Sequence, residues 1–194
     1  GLCLVGSEMC IRDRIKTGST ALGVTSEPRY DYSKLGETWS QPRIIRMPNQ
    51  GAGDTNIEDD IYVAILGGGF GAQNPAIGSG LFILNLELEP LSGLYGTVEQ
   101  YIDIEDLPND GIVNSTPALP TVITSDEISA NFTGALVYIN DYEGKVTKFN
   151  LTNMSTDRDG NAIALYENTT LFTAQSTDIN GRYMYHSMDA GRLK

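Results

Sequence analysis

Cysteine is nearly absent. The 194-residue chain has two, Cys3 and Cys10, both within its first ten residues. Beyond them there is no thiol nucleophile, no zinc–thiolate site and no evidence of a redox compartment. Histidine occurs once, as His186, so any Ser-His-Asp or metal–histidine chemistry would have to use it. Its neighbourhood, Tyr183-Met-Tyr-His-Ser-Met188, reads as a strand with no partner motif, and His186 reads as a structural or exposed residue. Tryptophan also occurs once, and Trp39 reads as a packing residue. Positive charge is scarce: 13 Lys and Arg against 25 Asp and Glu leave a net charge of −12. That excludes a nucleic-acid backbone or an anionic membrane surface as partner. No apolar run approaches the ~20 residues that span a bilayer, so no membrane insertion is expected in this stretch. There is no secretory pattern and residue 1 is not Met, which predicts an internal piece of a longer protein.

The first fourteen residues stand apart. Leu4-Val-Gly-Ser-Glu-Met-Cys-Ile-Arg-Asp13 resembles a translated transposase sequencing adapter, of the kind left at the ends of assembled metagenomic reads. Residues 1–14 are therefore read as an artefact outside the fold. Residues 15–35 are a polar lead-in, and 36–194 form the folded part, expected to be truncated at both ends.

What is present is a succession of short apolar strands. Gly134 to Leu151 predicts a hairpin: Leu136 to Ile139, a turn at Asp141-Tyr-Glu-Gly144, and a return strand from Lys145. Ala135, Val137 and Ile139 alternate with Leu136 and Tyr138, so both faces carry apolar residues and both need cover. Upstream, Ile61 to Leu66, Leu81 to Leu86 and a strand around Val98 to Ile102 follow a short strand beginning near Pro42. The order then repeats. Asn114-Ser-Thr-Pro-Ala-Leu119 echoes Trp39-Ser-Gln-Pro-Arg-Ile44, Leu136 to Ile139 echoes Tyr62 to Ile65, and Phe149-Asn-Leu151 echoes Leu84-Asn-Leu86. A third round is expected from Leu171-Phe-Thr-Ala174 through Arg182 to Met188. Repeated units that bury their faces against neighbours predict an all-β, incomplete β-propeller of two to three antiparallel blades with long loops; the alternative is a β-sandwich. In so short a propeller the faces around Val63 and Val137 are expected to lack cover on one side, favouring association.

At these residues the chain resembles the C-terminal propeller of the PilY/PilC family of type IV pilus tip-associated proteins. The matching pieces are Gly36-Glu-Thr-Trp-Ser-Gln-Pro42, Tyr62 to Gly71, Gly80 to Leu86, Asn114 to Pro117, the hairpin and Leu171 to Ala174. The resemblance implies a non-enzymatic bacterial pilus-assembly factor or adhesin at the cell surface or in the periplasm. Its partners would be pilus subunits or minor pilins, with host or surface ligands. Alternatives from other classes are a quinoprotein-type propeller dehydrogenase and a non-catalytic scaffold. Family members place an aspartate-rich calcium loop where this chain has Ser125-Asp-Glu-Ile-Ser-Ala-Asn131, which lacks the alternating ligands calcium prefers.

Three constellations remain. Gly67-Gly-Gly-Phe-Gly71 follows a strand, and Gly67-x-Gly69-x-x-Ala72 fits G-x-G-x-x-A, with Glu87 placed as a ribose acid. Only Ala72 to Ser79 separates it from the next strand, and Pro75 and Gly78 deny that segment a helix. Gly67, Gly68, Gly69 and Gly71, with Asp141 and Gly144, are accordingly read as turn residues where backbones approach closely. Asp157, Asp159 and Asn161 form a weak calcium candidate, with glycine at the wrong position for an EF-hand; an Asp-Gly-Asn turn is the plainer reading. No cofactor is expected, and no catalytic residue is assigned.

Overall fold

A computed structural model describes residues 31–48, 58, 60–71, 77–87, 96–104, 114–124, 134–152, 164–174 and 179–190. The adapter-like segment and the calcium candidate Asp157, Asp159 and Asn161 lie outside the described residues. Among those residues every regular element is a β-strand.

Strands β1 (Arg43–Met47), β2 (Ile61–Gly67), β3 (Gly80–Asn85) and β4 (Thr97–Asp103) form one four-stranded antiparallel sheet. Strands β5 (Thr121–Ile123), β6 (Gly134–Asn140), β7 (Lys145–Thr152) and β8 (Asn168–Thr173) form a second. In both, neighbours in space are neighbours in sequence. Pro42 has no N–H to give a ladder, and β1 starts at the next residue.

Side-chain alternation sorts the apolar residues onto faces. Ile45 and Met47 of β1, Val63 and Ile65 of β2, Leu81 and Ile83 of β3 and Ile102 of β4 point one way. They meet Ala135, Val137 and Ile139 of β6 and Phe149 and Leu151 of β7 in one continuous core between the sheets. Val63 and Val137 are both wholly buried there, so the faces expected to lack cover instead cover one another. The other face of the first sheet has its own cluster, Ala64, Leu66, Phe82 and Leu84, packed under Tyr32 and Leu35 of the lead-in and against Val98 and Tyr101. Val98 and Tyr101 share a face despite odd spacing because β4 has an extra residue: Ile83 pairs with Gln100 and Leu84 with Val98. The pair β7–β8 has the same kind of irregularity, Val146 opposite Phe172 and Thr147 opposite Thr170.

Among the described residues the third round is not formed. Leu171 to Thr173 close the second sheet as part of β8, and residues 179–190 carry no strand. His186 therefore lies on an exposed irregular segment and not on a strand. The Ser-x-Pro echo also differs from expectation. Asn114 to Ala118 makes an isolated bridge, Thr116 to Gly69, and the strand β5 begins only at Thr121.

Candidate functional site

The β2–β3 connection, the segment entering β5 and the β6–β7 turn come together at one end of the molecule. Glycine makes this possible. A Cβ on Gly67 would collide with the Thr116 carbonyl oxygen, and Gly69 has a φ of 92° with Glu37 backbone against it. Thr116 is the joint. Its N–H donates to the Gly69 and Gly78 carbonyls at 3.1 and 3.0 Å, and Gly69 N–H returns a bond to the Thr116 carbonyl at 3.1 Å. Its hydroxyl accepts from Gly68 N–H at 2.8 Å and lies 2.7 Å from the Gly80 carbonyl. The glycine run thus serves close backbone packing between the two sheets.

The β6–β7 turn is built on Asp141. Its Oδ1 accepts the Lys145 N–H at 2.8 Å, and Gly144 takes a φ of 84°, a region open to glycine. Asn114 Nδ2 donates to Asp141 Oδ2 and to Glu143 Oε2, each at 2.9 Å. Tyr142 N–H donates to the Ser115 carbonyl at 2.7 Å, which docks the turn on the segment leading into β5. Lys145 Nζ lies 3.8 Å from Asp141 Oδ2 and donates to the Ile104 carbonyl beyond β4, reaching from one sheet to the other. Both side chains are buried. Burial pushes the Asp141 carboxyl above its ordinary value, against the pull of the Lys145 N–H, the Asn114 amide and the Lys145 charge.

Above this polar base lies a row of rings. Trp39 meets Phe70 edge to face at 5.6 Å, and Phe70 meets Tyr142 edge to face at 5.0 Å. Tyr142 stacks on Tyr183 at 4.4 Å and meets Tyr185 edge to face at 5.2 Å. The hydroxyls of Tyr142 and Tyr185 are 3.3 Å apart, and that hydrogen bond is the main cause lifting the Tyr142 phenol to about 12. Trp39, Tyr183 and Tyr185 are 60%, 43% and 57% exposed, so Trp39 packs on Phe70 while most of its surface faces solvent. The irregular segment 179–190 supplies two of the rings and is tied down by Met184 N–H to the Tyr142 carbonyl at 3.1 Å.

Of the residues singled out in sequence as turn residues, Gly67 is instead the last residue of β2, paired with Leu81, while Gly68, Gly69 and Gly71 follow it and Asp141 and Gly144 lie in the β6–β7 turn, all at this one end. Asn114, Thr116 and Lys145 and the five rings were not singled out as a site. Their positions are scattered, and only the turn chemistry beside Phe70 and Tyr142 marked the place. Among the described residues no group of three or more His, Cys, Asp or Glu is placed to hold a metal ion. No family model matches the chain, and no curated protein or solved structure does.

Proposed function

We propose that the chain is part of a β-propeller of the PilY/PilC type, acting without catalysis as a pilus-tip assembly factor or adhesin. The observation that carries this is serial repetition: two successive units, each of four consecutive strands in up-and-down order, packed face to face. Sandwiches of the Greek-key kind send successive strands to different sheets, whereas blades keep four consecutive strands together. The irregular β3–β4 and β7–β8 pairs repeat the pattern at a finer level. In this reading the chain acts at the cell surface or in the periplasm, through pilus subunits or minor pilins and host or surface ligands. It needs no cofactor.

The test is recovery of the complete gene from source DNA. The expected result is a von Willebrand-type domain upstream, further four-strand units, pilin genes as neighbours, and loss of pili on disruption. An open reading frame encoding a quinone-dependent dehydrogenase, or unchanged piliation in the disrupted strain, would overturn the reading.

A further inference from the structure

We propose that the aromatic row formed by Trp39, Phe70, Tyr142, Tyr183 and Tyr185 docks a proline-rich peptide segment with basic flanking residues. The proposal does not rest on the pilus reading.

The shape of the row selects the ligand. Successive rings stand nearly perpendicular, at 70° for Trp39–Phe70, 69° for Phe70–Tyr142 and 77° for Tyr142–Tyr185. Perpendicular neighbours make ridges and furrows one ring wide, not a flat plate. The one nearly parallel pair, Tyr142 and Tyr183 at 21°, turn faces toward each other. A planar base or the flat face of a sugar finds no coplanar platform here, and the charge of −12 repels a nucleic acid. Pyrrolidine rings of a polyproline II helix fit furrows of this kind.

Hydrogen bonding and charge agree with that choice. A polyproline II backbone has carbonyls with no internal donors. The Trp39 indole and the Tyr183 and Tyr185 phenols carry donors on an exposed surface. Glu37 is exposed beside Trp39 and bonded through its backbone to Phe70 in both directions, at 2.6 and 2.7 Å. Arginine or lysine beside the prolines complements the Glu37 carboxylate and the net charge of −12, and stacks on the rings. The row is also held in advance by the backbone bonds of Glu37, Phe70, Tyr142 and Met184, which lowers the ordering cost of binding.

Trp39 is the sole tryptophan, so its emission reports this surface alone. The experiment titrates the full chain with a hexaproline peptide flanked by arginines. It runs in parallel with an Arg-flanked Gly-Ser peptide and with cello-oligosaccharides. The expected result is a saturable change in Trp39 emission in the micromolar range for the proline peptide. It should weaken tenfold or more in Tyr185→Ser and in Tyr183→Ser, and several-fold in Glu37→Gln, with unchanged melting temperatures. No saturable change up to millimolar peptide would overturn the proposal. An equal response to the Gly-Ser peptide would reduce the surface to an acidic patch, and a response to the sugars alone would make it a glycan site; either result also overturns the proposal.

Discussion

The two sheets share a strand order and differ in how they are covered. The first is apolar on both faces: its inner face joins the common core, and its outer face holds Phe82 between Tyr32 and Tyr101. The Tyr32 hydroxyl fastens that cover by donating to the Gly96 carbonyl. The second sheet has polar residues buried in β7, with Lys145 and Thr147 next to Phe149 and Leu151. Every residue of its last strand, β8, is exposed, including Leu171 and Phe172. One strand pattern therefore supports two different outcomes. What a face becomes depends on the segment laid over it, and the lead-in supplies that segment for the first sheet alone among the described residues.

The largest expected effect tests whether the core is truly common. Phe149→Ala removes a wholly buried ring and is expected to cost about 3–5 kcal/mol, read from urea denaturation. Hydrogen exchange should quicken at Val63 and Ile65 as well as in β6 and β7. Exchange confined to the second sheet would show two separate cores.

Next comes Asp141, the acceptor on which the β6–β7 turn is built. Asp141→Ala leaves the buried Lys145 N–H and Asn114 amide without their acceptor and is expected to cost about 1–3 kcal/mol. The same variant carries a pH signature. Burial raises the folded Asp141 carboxyl above 3.8, so the folded state binds its proton more tightly than the unfolded chain. Stability from this group is greatest below the unfolded value and falls as pH rises through the folded one. The advantage of wild type over Asp141→Ala should thus shrink as pH rises across that window, measured by denaturant midpoints from about pH 3 to pH 7. An advantage that grows instead would reverse the assignment.

Two glycines sharpen the comparison further. Gly96, leading into β4, has a φ of 77° and open space around it, whereas Gly144 has a φ of 84° and would press a Cβ against Ala174 Cβ at 2.7 Å and the Arg182 carbonyl at 2.9 Å. Gly96→Ala should cost about 1 kcal/mol from backbone strain alone, and Gly144→Ala visibly more. Equal melting temperatures for the two variants would remove the role given to residues 174 and 182 in packing on the turn.

The smallest effect belongs to the uncovered face. Phe172, 57% exposed on β8, should tolerate alanine within about 0.5 kcal/mol. A larger loss by calorimetry would reveal a cover over the second sheet that matches the lead-in over the first.

The strands were largely legible. Ile61 to Leu66, Leu81 to Leu86 and Leu136 to Ile139 are apolar runs bounded by glycine or turn residues, and local chemistry settles such runs. Double-sided burial of β2 was readable from its lack of polar alternation. The supposed third round was misread because Leu171 and Phe172 look like the start of a buried strand, and nothing local distinguishes an exposed closing strand from a new beginning. Segment 179–190 was misread for a related reason: its alternating Tyr183, Tyr185 and Met residues imitate strand periodicity, while its packing is on the tip of another hairpin. The aromatic row was invisible because its members stand at 39, 70, 142, 183 and 185 and meet only through tertiary structure. Long-range pairing such as Asn114 with Asp141 leaves no spacing to recognise.

The Thr116 joint and the common core together make the chain an intramolecular dimer of halves. Each half is contiguous in sequence, β1 to β4 in one and β5 to β8 in the other, and neither can close its inner face unaided. A cut between Ile104 and Asn114 would sever the peptide while leaving the shared core, the Thr116 bonds and the Lys145 bridge to Ile104 in place. The two fragments form a matched pair for reassembly in trans. Their recombination would report on proximity between whatever proteins they are fused to.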